Sequence, residues 1–295
     1  MSKPPHLFTL TGNLLAEDTL EFETWTPGKT QRARHATFQV GGKGINVAKM
    51  LRRLGAAHTA LAFTGGATGR ACEEWLHAQG FACRLFTTTT PTRRGTVVRD
   101  RSGAHAETTF LGADSPADAA ALKACGDFLD AQPDGQVLAL CGSFPGWTSP
   151  DAAPLRAALQ RWARRGALVA DTYGPPLNDL VAEPLALLKI NADEARTLPG
   201  GATAALPSAL HRWIVTDGPR TVRLRDGAGA EETLFPPPVR EISPTGSGDV
   251  LLAVVLEALF VRGRPLREAV LEALPLAAAN AAHPGIAEFP WPSEV

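Results

Sequence analysis

The feature that most constrains this chain is an alternation of short apolar runs with amphipathic ones, carried through most of its length. Apolar runs at His6–Leu15, Ala60–Phe63, Phe81–Leu85, Val137–Cys141, Ala167–Ala170, Leu185–Ile190 and Trp213–Thr216 read as strands. Between or after them lie helical patterns at Ile45–Leu54, Arg70–Gln79, Ala152–Arg164, Asp193–Thr197, Gly248–Arg262 and Leu266–Ala282. The first of these places Val47, Met50, Leu51 and Leu54 on one side and stops at Gly55. Short apolar strands separated by helices are buried on both faces, which predicts a parallel sheet with helices packed on each side. Two polar hairpins break the rhythm. Thr19–Trp25 and Arg34–Val40 flank Thr26-Pro27-Gly28-Lys29, and Val97–Asp100 and Glu107–Leu111 flank Ser102-Gly103. They predict a small β appendage made from about 16–40 and 92–111. Val222–Leu224 and Glu232–Phe235 form a further hairpin, and Pro236-Pro237-Pro238 reads as a stiff connector.

With 295 residues, 44% of them hydrophobic, the chain can bury the core of one large domain. Its 29 basic and 30 acidic side chains nearly cancel, which argues against a nucleic-acid partner. Cys72, Cys83, Cys125 and Cys141 have neither metal nor disulfide spacing and fit a reducing compartment. No export signal is read in MSKPPHLFTLTG, and the apolar run Val250–Phe260 is too short for a bilayer and interrupted by Glu257. A cytoplasmic protein with no membrane partner is expected.

Two glycine-rich segments each open a helix: Gly41-Gly42-Lys43-Gly44-Ile45-Asn46 and Ser243-Pro244-Thr245-Gly246-Ser247-Gly248-Asp249. Helix N-termini offer free N–H groups and partial positive charge, and glycines let a ligand come close to them. Phosphoryl transfer needs such donors beside a carboxylate that takes the hydroxyl proton. Other phosphate and catalytic motifs fail. Gly28-Lys29-Thr30 lacks the leading glycine of a P-loop, no dinucleotide fingerprint follows the first strand, and Gly142-Ser143-Phe144-Pro145-Gly146 is not a nucleophile elbow. The scattered histidines form no zinc motif.

Taken together, the two glycine segments resemble the signatures of the PfkB, or ribokinase-like, carbohydrate kinases. Four further segments match in order: Thr64-Gly65-Gly66-Ala67-Thr68-Gly69, Gly142-Ser143-Phe144-Pro145, Lys189-Ile190-Asn191-Ala192-Asp193-Glu194 and Thr216-Asp217-Gly218. Within the family the chain looks most like the 1-phosphofructokinase and tagatose-6-phosphate kinase branch. The resemblance implies a doubly wound three-layer α/β/α sandwich with a β-sheet lid, formed by a single domain over 1–295. It also implies ATP and Mg²⁺ as cofactors, a sugar or sugar phosphate as small-molecule partner, and a homodimer paired through the lid.

Carried over residue by residue, the resemblance makes Asp249 the catalytic base and the N–H groups of Gly246, Ser247 and Gly248 an anion hole. Glu194, with Asn191, would organise Mg²⁺ through water. Lys189, Asn191, Thr216, Gly218 and Asn280 would serve the nucleotide side, Asn280 being equally readable as a packing residue. Glu17, Gly42 and Asn46 would meet the sugar, and Lys29, Arg93 and Ser143 its phosphate. Lys43 reads as a phosphate contact or as a solvated lysine, and Lys29 as a phosphate contact or an exposed hairpin residue. The chain departs from the family at the sugar end. Glu17 stands where an aspartate is usual, Gly95 replaces a lid asparagine, and an apolar residue near Phe110 replaces another. The branch that the chain resembles implies a kinase of a ketohexose phosphate, and the departures bear on which sugar it takes. A kinase of an unphosphorylated sugar or nucleoside, or a catalytically weak sensor of sugar phosphate, are the alternatives.

Overall fold

The computed structural model describes residues 4–103, 107–198 and 210–291. Its first part runs β1 Leu7–Thr11, β2 Leu15–Phe22, β3 His35–Gly41, α1 Lys43–Arg53, β4 His58–Thr64, α2 Gly66–Ala78, β5 Cys83–Thr87, β6 Arg93–Asp100 and β7 Thr108–Leu111. The middle comprises α3 Ala119–Asp130, β8 Val137–Cys141, α4 Ala153–Arg165, β9 Ala167–Asp171, α5 Pro175–Leu180, β10 Leu187–Asn191 and α6 Ala192–Arg196. The last part holds β11 Arg212–Asp217, β12 Thr221–Asp226, β13 Glu232–Leu234, α7 Ser247–Leu256 and α8 Leu266–Ala281.

These strands make two sheets. The larger has the order β13-β12-β11-β10-β9-β8-β1-β4-β5, parallel except that β12 runs antiparallel to both its neighbours, β11 and β13. Its alternation builds two cores at once. In β8, Leu138 and Leu140 point to the layer of α3 and α4, with Leu122, Leu159 and Trp162. Val137, Ala139 and Cys141 point the other way, to the layer of α1, α7 and α8, with Val47, Met50 and Val250. This is the expected sandwich. Among the described residues no helix is long and apolar enough to cross a membrane.

The smaller sheet has the order β3-β2-β6-β7. Each hairpin is antiparallel, and the two are joined by a parallel ladder from Leu15 opposite Arg93 to Phe22 opposite Asp100. β2 begins at Leu15, four residues before the expected strand, because Asn13-Leu14 carries the chain directly from the main sheet into the small one. α3 was not foreseen, although Asp118 caps it by accepting the Ala121 N–H at 2.9 Å and Leu122, Cys125 and Leu129 line its buried side. α5 was missed because Pro175-Pro176 reads as a break; both prolines stand in its first turn, where no N–H is needed.

Candidate active site

A parallel sheet delivers its strand ends to one edge, and there the chain's polar groups collect. β1 ends before Asn13, β8 before Ser143, β9 on Asp171, β10 on Asn191 and β11 on Asp217. The small sheet stands over this edge, and between them lies a cavity of about 760 Å³. Its lining includes Glu17, Gly42, Lys43, Asn46, Arg93, Lys189, Asn191, Thr216, Gly218 and the whole of Gly246–Asp249. Segments more than 200 residues apart thus meet in one place.

Asp249 lies in the first turn of α7, 5% exposed, and its Oδ2 accepts from Asn46 Nδ2 at 2.7 Å. Burial raises its carboxyl to about 6, aided by the nearby negative Asp171 and opposed by Lys43, Lys189 and the Asn46 contact. Asp171 is fully buried between two lysines, with Lys43 Nζ and Lys189 Nζ each 3.0 Å from one of its oxygens. Burial opposes its ionisation, but Lys189 and Lys43 outweigh it and hold Asp171 below the ordinary carboxylate range. Lys43 also donates to Glu194 Oε1 at 3.0 Å. Burial works against its charge, but Asp171, Glu194 and Asp249 raise it well above the ordinary lysine range. Lys43 is therefore not a solvated lysine: it is ion-paired on two sides while still lining the cavity. It is the hub of a charge network under the cavity.

The glycines have steric reasons. Gly246 has φ +80°, and a Cβ there would lie 2.5 Å from Ile286 Cγ2. A Cβ at Gly248 would fall 2.7 Å from Lys189 Nζ. Among the described residues the N–H groups of Gly246 and Gly248 meet no acceptor, whereas that of Ser247 is turned to Pro244 O at 3.2 Å. The expected three-donor anion hole thus has two open donors. Asn280 does not reach the cavity. Fully buried, it donates to Thr245 O and Ser247 Oγ and accepts from the Ala287 N–H, so it braces the loop from behind.

Glu194 and Asn191 form a capping box on α6, with Glu194 Oε2 on the Asn191 N–H at 2.9 Å and Asn191 Oδ1 on the Glu194 N–H at 2.8 Å. With both Glu194 oxygens engaged, and no group of three His, Cys, Asp or Glu gathered round a metal among the described residues, a resident ion does not fit. The residues instead suit a hydrated Mg²⁺ met through its water shell, which that ion gives up reluctantly.

Toward the small sheet, Gln39 donates to Glu17 Oε1 and accepts from the buried Lys49 at 2.9 Å. Arg93 and Ser143 meet through Asn13. Arg93 Nη2 lies 3.3 Å from Asn13 O, and Asn13 Nδ2 donates to Ser143 Oγ at 3.0 Å. Lys29 is not part of this group; it sits exposed on the β2–β3 turn, outside the cavity. At Gly95, where an asparagine side chain would have entered, Leu15 Cδ1 is 2.9 Å from a Cβ position and fills the room. β6 and β7 are tied to the anion loop. Glu107 accepts from Arg99 Nε at 2.8 Å and from Ser243 Oγ and Thr245 Oγ1 at 3.1 Å each, and Arg99 donates to Pro284 O. The three prolines Pro236–Pro238 line the cavity beside Val222, Leu251 and Leu274, and so are a wall of the site as well as a connector.

Sequence reasoning missed Asp171, Asn13 and Gln39. Asp171 had a signal, an acid directly after the apolar run Ala167–Ala170, where a parallel strand reaches the site edge. Asn13 and Gln39 carried none beyond lying within predicted strands. Chemically, the cavity offers an ionisable carboxylate with a raised pKa beside open N–H donors, a neutralising lysine pair, an apolar wall at one end and a polar rim with Arg93 at the other.

Residues 12–294 match the family described as pfkB family carbohydrate kinase. The chain is 30% identical to 1-phosphofructokinase of Rhodobacter capsulatus over 264 residues, covering 85% of this chain and 82% of that one. A stretch of 70 residues, 24% of this chain and 23% of the relative, is 40% identical to D-tagatose-1-phosphate kinase of Bacillus licheniformis. Among solved structures, phosphofructokinase-2 of Escherichia coli in complex with fructose-6-phosphate superposes with a TM-score of 0.83 at 21% identity, covering 94% of each chain. At that identity the likeness is one of fold.

Proposed function

We propose that this chain, which belongs to the pfkB family of carbohydrate kinases and is an ATP-dependent sugar kinase, phosphorylates a ketohexose phosphate with Asp249 as the base. The observation that carries the reading is Asp249 itself. It is a buried carboxylate raised to about 6, steadied on one oxygen by Asn46, at the start of a helix where the Gly246 and Gly248 N–H groups are open. An acid of that strength is ionised at neutral pH yet basic enough to take a proton as the hydroxyl attacks.

In the proposed reaction the acceptor hydroxyl loses its proton to Asp249 Oδ1 as its oxygen bonds to the γ-phosphorus. The bond from that phosphorus to the bridging oxygen breaks, and ADP leaves with the electron pair. The N–H groups of Gly246 and Gly248, with Lys43 and Lys189 behind them, stabilise the charge on the transferring group. Glu194 and Asn191 would hold Mg²⁺ through water, and the ion would supply neutralisation of part of the charge on the nucleotide's phosphates. The apolar wall of Val222, Leu251, Leu274 and Pro236–Pro238 suits the base of the nucleotide, with Thr216 and Gly218 at its edge. Glu17, Gly42 and Asn46 suit sugar hydroxyls, and Arg93 with Ser143 suits the acceptor's own phosphate.

Lid closure by the small sheet, pairing of two copies through it, and a cytoplasmic location belong to the same reading. Phe110, 53% exposed on the edge strand β7, supports the pairing, and four free thiols support the compartment. Release of ADP should be followed with ATP·Mg²⁺ and fructose 1-phosphate, fructose 6-phosphate, tagatose phosphate, fructose, ribose or a nucleoside. Turnover should be fastest with a phosphorylated ketohexose. Preference for a neutral acceptor, or no turnover with any phosphorylated ketohexose, would refute the acceptor assignment.

A further inference from the structure

On the sugar-phosphate reading just given, the position of Asp114 becomes consequential. This residue, three beyond the end of β7, places Oδ1 2.8 Å from Asn13 Nδ2 and 3.4 Å from Arg93 Nη1. It stands where an incoming anion would sit against the same two groups. The contacts it makes leave the site unsatisfied. Arg93 reaches Asp114 and Asn13 O only at 3.4 and 3.3 Å, longer than the 2.7–2.9 Å typical of charge-assisted bonds. Its Nε is buried without an acceptor, and Asn13 Oδ1 is buried without a donor. The two partners also differ in freedom, since the Arg93 side chain is 12% exposed and that of Asp114 is 63% exposed. The guanidinium is therefore fixed, and the carboxylate is the half that can turn out to water.

We propose that Asp114 is a specificity-determining residue, a built-in competitor that holds the anion position on Arg93 and Asn13 until the acceptor's phosphate displaces it. Two like charges cannot share that position without a large repulsive cost. A small anion would have to expel the carboxylate with nothing else in its favour. A phosphate delivered on a sugar brings the additional contacts at Glu17 and Asn46, which offset the displacement. The device thus rejects free phosphate while admitting phosphorylated sugars.

The test compares the parent with Asp114→Asn, which keeps the shape and an acceptor for Asn13 but removes the charge. Binding of inorganic phosphate is measured by calorimetry, and kcat/KM is measured for fructose 1-phosphate, fructose 6-phosphate and fructose. The variant should bind inorganic phosphate about ten-fold more tightly, and its preference for either sugar phosphate over fructose should rise by about the same factor, as expected on removing a like charge. Unchanged or weaker phosphate binding overturns the proposal, and Asp114→Ala must move in the same direction as the asparagine variant. The calorimetric arm needs no turnover. A parent that prefers fructose would sink the acceptor assignment, while the phosphate affinities would still decide the role of Asp114.

Discussion

The floor of the cavity and its rim are built differently. On the floor, Asp249, Asp171, Lys43, Lys189 and Glu194 come from strand ends and helix starts of the main sheet, and their contacts run from 2.7 to 3.0 Å. Each charge there has a partner. At the rim, the Arg93 guanidinium makes contacts only at 3.3 and 3.4 Å, and Arg93 Nε and Asn13 Oδ1 are buried with no partner. The floor is preorganised before any ligand arrives, which is what electrostatic stabilisation of phosphoryl transfer requires. The rim is left incomplete, so that the acceptor supplies the missing interactions. On the proposed reading, chemistry and choice of acceptor fall to separate groups of residues.

The largest effect that would sharpen this contrast comes from the floor. Asp171→Asn leaves the buried Lys189 with no carboxylate and Lys43 with Glu194 alone, and should cost about 3–5 kcal/mol in chemical denaturation, the usual penalty for breaking a buried pair. A loss under about 1 kcal/mol, as for an exposed pair, would remove the claim that the floor is cross-braced by charge. Next, two glycines of similar backbone separate the regions. Gly246→Ala meets Ile286 at 2.5 Å as well as its positive φ, whereas Gly28, on the β2–β3 turn with φ +76°, has nothing within 4 Å. Both pay about 1–2 kcal/mol for the backbone, but only Gly246→Ala should also lower kcat, by at least about ten-fold. Equal activity of the two variants would break the comparison.

Smaller is a shift in pH dependence. If Asp249 is the base, as proposed, it must be ionised to act, and activity should fall as pH drops through about 6. Because the Asp171 charge helps to raise Asp249, Asp171→Asn should move this acid limb to lower pH, and rim substitutions should leave it in place. A limb that moves with Arg93 instead would show that the two regions are not separable. The smallest effect belongs to the tie between them. Glu107→Gln weakens the Arg99 contact and the pair of hydroxyl contacts on Ser243 and Thr245, and should quicken hydrogen exchange across β6 and β7 several-fold, with stability changed by less than about 1 kcal/mol. Unaltered exchange would mean that Glu107 does not fasten the small sheet.

The floor was far more legible in the sequence than the rim, and the reason is locality. Gly246–Asp249 and Gly42–Asn46 are contiguous segments in which glycine, helix start and carboxylate or amide declare one another. Lys43 was visible but its partners were not, since Asp171 and Glu194 lie 128 and 151 residues away. The rim exists only after β2 and β6 pair, which brings Leu15 opposite Arg93 across 78 residues. No local pattern marks Asn13, Gln39 or Asp114 as belonging with Arg93. Lys29 illustrates the converse, because a turn lysine with a matching motif is left exposed outside the cavity. The alternation of strands and helices was readable throughout, except where α3 and α5 start at an aspartate and a proline pair that also read as loop.

The most direct test of the division between floor and rim is kcat and kcat/KM for a ketohexose phosphate and for fructose in the parent, Asp249→Asn and Arg93→Ala. Asp249→Asn should lower kcat on both acceptors by the same factor, roughly 10²–10⁴, the usual contribution of a positioned general base. Arg93→Ala should lower kcat/KM roughly ten- to a hundred-fold for the sugar phosphate and hardly at all for fructose, as expected for losing one charge-assisted contact. An Asp249→Asn enzyme within a few-fold of the parent, or an Arg93→Ala enzyme equally impaired on both acceptors, would contradict it.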